Sequence, residues 1–224
     1  ATFAVDSFAG RGIVNIPGDA GKVSAASRTI DAFRALAVLA KHPAIEPTRI
    51  AVMGLSHGSV AAMLTNVARF QKMHGQPDVG FAAHISVYGI CGTTYRDAED
   101  MTRPLLMLHG AADDWLPIGQ CRDYMERITK VGKGVRLIEY AGAHHAYDVP
   151  AFNPERKLPQ AVSPRNCTLA EGVNGKIINV KTQQLFTPAD PCLEKGVTIA
   201  YQEAAAKKSH EDVKAFLREQ LKLK

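Results

Sequence analysis

The pentapeptide Gly54-Leu55-Ser56-His57-Gly58 sets a serine between glycines two residues to either side. That spacing suits a nucleophile elbow, a sharp strand-to-helix turn that lifts a serine hydroxyl clear of its surroundings. Side chains would collide across such a turn, which is the expected reason for glycine at both positions. A helix beginning there aims its first N–H groups at a developing oxyanion. Alone the pentapeptide is a weak signal, since it arises by chance in roughly one chain in fifteen of this length. A serine hydroxyl also needs a base, and the base needs an orienting acid. Two doublets further along supply the types: Asp113-Asp114 in "LLMLHGAADDWLP" and His144-His145 in "RLIEYAGAHHAYDVP". Asp148 is a rival acid, but it lies so close to His145 in sequence that a local cap or pair is expected.

Strands and helices must bring these residues together. "RIAVMG" reads as a short apolar strand, and Val60, Met63, Leu64 and Val67 after it fall on one helical stripe. "FAAHISVYG", "PLLMLHG" and "GVRLIEY" read as further strands, with a helix from about Pro117 to Val131 between the last two. Another helix, from about Ser24 to Lys41, carries Ile30, Phe33, Leu36, Ala37 and Ala40 at helical spacing. Strands apolar on both faces and alternating with helices predict an α/β fold with a mostly parallel sheet covered on both sides. Both doublets then follow strand C-terminal ends, where such sheets build their sites. Phe3 to Asp6 reads as a strand end opening a Gly-rich loop through Lys22, so the expectation is a single domain, 1–224, lacking its N-terminal strands. From 150 to 196 the alternation breaks. Asn174-Gly175 predicts a hairpin inside this insertion, a cover or a buttress for the site. A last helix follows, for which Ser209 is a candidate cap.

Taken in order, "VDSFAGRG", "RIAVMGLSHG", "HGAADDWLP" and "YAGAHHAYDVP" resemble the dienelactone hydrolase family of α/β-hydrolases, over residues 1 to about 150. The resemblance selects Asp113 and His145 from their doublets, leaving Asp114 and His144 as neighbours. It implies hydrolysis of a small-molecule carboxylic ester or lactone through an acyl-enzyme, with Ser56 as nucleophile, His145 as base and Asp113 orienting the imidazole. No metal or organic cofactor is implied. The family's type member uses cysteine where this chain has Ser56. The family also takes an oxyanion donor from a histidine-glycine loop after an early strand. His109-Gly110 looks similar but follows the wrong strand, which leaves the His57 N–H as the oxyanion donor and predicts poor activity or folding for the isolated chain. A peptidase of the same fold and a non-catalytic binding module are the alternatives.

The remaining residues bound the reading. Arg11, in a loop on the Ser56 side of the sheet, either meets a substrate carboxylate or pins its own Gly-rich loop. The His57 ring, His84 and His109 are expected to be structural. The net charge of +5 comes from interspersed Lys, Arg, Asp and Glu with no basic cluster, which argues against nucleic acid, and no apolar run is long enough to span a bilayer. Cys91, Cys121, Cys167 and Cys192 lack metal-ligand spacing. Loops from neighbouring strands suggest Cys91–Cys121 and Cys167–Cys192 pairs, hence a periplasmic or secreted protein rather than a cytoplasmic one.

Overall fold

The computed structural model describes residues 1–14, 22–129 and 134–223. Four parallel strands form the central sheet: β1 (Ala51–Leu55), β2 (Ala83–Val87), β4 (Leu105–Gly110) and β5 (Val135–Tyr140), in that spatial order. β3 is the two-residue strand Thr93–Thr94. Every residue of β2 and β4 is buried, and β4 shows why their sequences are apolar throughout. Leu105 and Met107 point into one core with Cys121, Tyr124 and Ile128, while Leu106 and Leu108 point into another with Ile85, Tyr147 and Phe216. Each strand side chain thus meets a helix layer on its own face of the sheet.

The helices are α1 (Ala25–Leu39), α2 (Gly58–Leu64), α3 (Ala68–His74), α4 (Ile118–Thr129) and α5 (Glu203–Leu221). Ser24 caps α1 by accepting the Ser27 N–H at 3.1 Å, and Ala32, Phe33 and Leu36 bury its inner stripe. The expected end of the 117–131 helix, at Val131, and residues 15–21 of the Gly-rich loop lie outside the described residues. Two local expectations are corrected. Phe3 to Asp6 forms no strand: Phe3 and Val5 are exposed, and the Asp6 carboxylate folds back to accept the Phe8 and Ala9 N–H groups. Ser209 is not a cap either. The run "EAAAKK" has strong helix propensity and starts α5 at Glu203, so Ser209 lies inside the helix, donating to the Ala206 carbonyl at 3.0 Å.

Between β5 and α5 the chain builds two small sheets. β6 (Arg156–Ser163) and β10 (Glu194–Ile199) form an antiparallel ribbon, which carries the insertion three residues beyond its expected end. β7 (Leu169–Glu171), β8 (Ile177–Asn179) and β9 (Gln184–Leu185) join β3 in the order β3-β7-β8-β9. The β7–β8 hairpin turns at Asn174-Gly175, with Gly175 at φ +73°. Disulfides join Cys91 to Cys121 and Cys167 to Cys192. No helix among the described residues is long and apolar enough to cross a membrane.

Candidate active site

Ser56 sits between β1 and α2 at φ +49°, a left-handed conformation that costs a non-glycine residue on the order of 1–3 kcal/mol. Its neighbours hold it there. The Ser56 N–H donates to the Val87 carbonyl at the end of β2 (2.9 Å), and the Ser56 carbonyl accepts the Ser59 N–H (3.0 Å). The two motif glycines are not equivalent. A Cβ on Gly54 would stand 2.2 Å from the Gly58 carbonyl oxygen, whereas a Cβ on Gly58 would meet no heavy atom within 4 Å. Steric need therefore explains Gly54 only, because the chain returns over position 54 while position 58 faces open space. The His57 backbone N–H follows Ser56 directly and makes no hydrogen bond with the described residues.

Asp113 and His145 come from the loops after β4 and β5. Gly110 lets these loops touch: a Cβ there would be 2.3 Å from the Ala143 carbonyl oxygen, and that carbonyl accepts the Ala112 N–H at 2.9 Å. One oxygen of Asp113 accepts the Trp115 and Leu116 N–H groups at 2.9 and 2.8 Å. The other lies 2.8 Å from His145 Nδ1. His145 Nε2 is 2.9 Å from Ser56 Oγ. With Asp113 and His145 both buried, the carboxylate fixes the tautomer that carries hydrogen on Nδ1 and leaves Nε2 as acceptor for the serine hydroxyl. Such a line can take a proton from Ser56 and return it to a leaving group.

Aromatic rings hold the imidazole from two directions. Tyr88 meets it edge-on, 4.8 Å between centroids, and Trp115 leans on it at 5.0 Å. Tyr88 also donates to Asp148 Oδ1 at 3.0 Å, so the rival acid is engaged across the fold by a tyrosine rather than locally or with a histidine. Burial, followed by the Asp148 charge, pushes the Tyr88 phenol far above its usual range, and it stays neutral. His109 lies behind the acid. Its Nε2 is 2.7 Å from the Leu116 carbonyl and 3.5 Å from Asp113, and its Nδ1 is 3.5 Å from the Cys121 sulfur. Burial lowers its pKa, so the ring is a neutral prop under the acid loop. Burial also lowers His84 to about 3, and that ring packs edge-on against Phe81. His144, the neighbour of His145 in the chain, makes no side-chain hydrogen bond to Ser56, His145 or Asp113, and its buried Nδ1 has no partner among the described residues.

Arg11 is committed elsewhere. Its guanidinium makes a two-pronged pair with Asp31 (2.7 and 2.9 Å) and donates to the Ser7 carbonyl, which pins its own loop to α1. Among the described residues no cluster of His, Cys, Asp or Glu is placed to hold a metal ion. Sequence reasoning missed Trp115 and Tyr88. Trp115 had a usable signal, an aromatic two residues past the acid on the same loop. Tyr88 had a fainter one, the first residue beyond an apolar strand.

Comparison with known proteins agrees with this architecture. The chain is 28% identical over 137 residues to the uncharacterized peptidase YtmA of Bacillus subtilis, covering 60% of this chain and 50% of that protein. It is 24% identical over 131 residues to the uncharacterized peptidase YuxL of the same organism, covering 47% and 20%. The chain therefore spans half the length of one relative and a fifth of the other. The dienelactone hydrolase-like promiscuous phosphotriesterase P91, from metagenomic libraries, shares the fold with a TM-score of 0.55 at 16% identity, covering 92% of this chain and 65% of that one. The apo form of Thermogutta terrifontis esterase 2 gives a TM-score of 0.45 at 22% identity, covering 58% and 59%. The model of the dienelactone hydrolase family matches residues 19–221, and across that span the chain belongs to the dienelactone hydrolase family.

Proposed function

We propose that the chain is a serine hydrolase that cleaves small carboxylic esters or lactones through an acyl-enzyme. Ser56 Oγ attacks the carbonyl carbon while His145 Nε2 takes the hydroxyl proton. Asp113 stabilises the resulting imidazolium, and the His57 N–H donates to the tetrahedral oxyanion. Collapse expels the alcohol with the proton from His145, and water, deprotonated by the same ring, releases the acid and restores Ser56. The observation that carries this reading is the unbroken line from Ser56 Oγ to His145 (2.9 Å) and from His145 to Asp113 (2.8 Å). The line starts on a residue at positive φ, two positions before a helix, whose hydroxyl bonds to His145.

The test is covalent labelling of the full chain with a fluorophosphonate. The wild type should label at one site, and Ser56→Ala should lose labelling and at least about a thousandfold in turnover of a short-chain aryl ester. Equal labelling of the two proteins sinks the reading. The names of the two Bacillus relatives favour a second reading, cleavage of peptide bonds by the same residues. An aminoacyl amide assayed beside the ester separates the two, and faster amide turnover would replace the esterase with a peptidase. The Cys91–Cys121 and Cys167–Cys192 bonds support an oxidising compartment, periplasmic or secreted.

A further inference from the structure

The β6–β10 ribbon reaches both loops that carry the acid and the histidine, and it does so through three consecutive residues. Thr198 donates its N–H and its hydroxyl to the two oxygens of Asp114, at 2.7 and 2.8 Å. Ile199 bridges to His145, and the Ala200 N–H reaches the His145 carbonyl at 3.4 Å. Further ties secure the acid loop from the same side. Arg165 donates to the Asp114 carbonyl at 2.8 Å and to the Gly196 carbonyl at 2.6 Å, which spans loop and ribbon with one guanidinium. The Trp115 indole donates to the Val162 carbonyl (3.0 Å), and the Ser163 hydroxyl donates to the Trp115 carbonyl (2.6 Å).

From this geometry we infer that Asp114 is a positioning residue for the Asp113–His145 pair, and that the insertion is a jig setting the separation of the two loops. The inference rests on the serine hydrolase reading for its catalytic consequence, but its structural content stands apart. Asp114 touches none of the reacting groups. It fixes the backbone one residue from Asp113 to the same short segment that holds the His145 backbone. Without it the acid loop keeps the Asp113 turn onto Trp115 and Leu116 and its Ala112, Arg165 and Trp115 ties, yet loses both bonds to the segment that also holds His145, and its register against the histidine loosens. A misplacement of that kind, within an ångström, costs on the order of a hundredfold in rate because proton transfer needs aligned partners. Substrate affinity has no stake in it.

The experiment compares the wild type with Asp114→Ala and Asp114→Asn. Asparagine can still accept the Thr198 N–H and can donate its amide to the Thr198 hydroxyl oxygen, so it keeps both links and drops only the charge. Asp114→Ala should lower kcat for a short-chain aryl ester at least about 30-fold with KM within about twofold. Asp114→Asn should recover most of that loss. A second readout needs no turnover: the far-downfield proton of the His145 Nδ1–Asp113 hydrogen bond, identified in the wild-type proton NMR spectrum by its loss in His145→Ala. It should broaden or vanish in Asp114→Ala and persist in Asp114→Asn. An unchanged proton in Asp114→Ala overturns the inference, as does an asparagine variant no better than the alanine one. If the wild type neither hydrolyses esters nor takes up the fluorophosphonate, the function reading has failed and the NMR comparison alone decides the positioning role.

Discussion

Ser56 owes its position to residues beside it in sequence or on the adjacent strand: a positive φ, the close passage of Gly58 over Gly54, and a hydrogen bond to Val87. Asp113 and His145 are restrained differently. Gly110 lets their loops touch and the Ala112 N–H bonds one to the other, and further ties come from Arg165 and Thr198, 51 and 84 residues beyond Asp114. A serine at positive φ can be specified by five residues because the strain is local. Two loops that follow different strands gain a common outside reference in the insertion, which bonds to Asp114 and to His145. The elbow should therefore fail through single-residue sterics, and the acid–histidine side through loosening of the ribbon.

The largest effect should come from the elbow. Gly54→Ala drives a Cβ to 2.2 Å from the Gly58 carbonyl, which is backbone and cannot rotate away. The turn must open, and the fluorophosphonate labelling rate of Ser56 should fall by about a hundredfold or more. Gly58→Ala, with open space around the new methyl group, is the paired control and should keep the wild-type melting temperature within a few degrees. Equal damage from both substitutions would mean the motif glycines are needed symmetrically and would break the argument for a one-sided steric requirement.

The ribbon side has its own lever. Cys167–Cys192 closes the chain just beyond the Ser163–Glu194 end of the β6–β10 pair. Replacing both cysteines with serine should lower stability by about 3 kcal/mol and the melting temperature by roughly 6–12 °C, mostly through the freed unfolded chain. Thermal unfolding of the double variant beside the wild type measures it. A shift below 2 °C would show that the ribbon is held by its contacts with the acid loop rather than by the covalent bond.

The same division decides what could be read from the sequence. Strand–helix alternation, the elbow pentapeptide and the hairpin at Asn174-Gly175 are local signals, and the elements form near where they point, although α2 stops at Leu64 and Val67, expected on its stripe, is extended and bridges to Met101. Asp113 and Asp114 could not be separated by types and spacing, because both carboxylates are used: one faces His145 and the other Thr198. The contacts of Arg165 with the Asp114 and Gly196 carbonyls leave no trace, since an arginine seeking backbone oxygens has no pattern of its own. Phe3 and Val5 alternate as a strand would, but burial needs a partner, and alternation alone does not provide one. Ser209 shows the reverse failure, a good cap residue overruled by the stronger helix formers before it.

Acid provides the finest probe of the elbow. Burial, and then the nearby Arg28 charge, lower the His57 ring from 6.5 to about 4. Between those values the unfolded chain binds a proton that the folded elbow refuses, so stability is present above pH 6.5 and drains away as pH falls toward 4. For a ring only partly buried, the loss between pH 7 and pH 5 is about 1 kcal/mol after allowing for solvent screening. His57→Gln removes the titrating group and keeps a neutral polar side chain, so its stability relative to wild type should improve by that amount over the same interval. Urea unfolding of both proteins at the two pH values isolates the ring from His84 and His109, whose own acid losses are common to both. A constant difference would mean that His57 is protonated in the folded protein at pH 5, beside Arg28. The elbow would then tolerate a charge that burial of the ring disfavours.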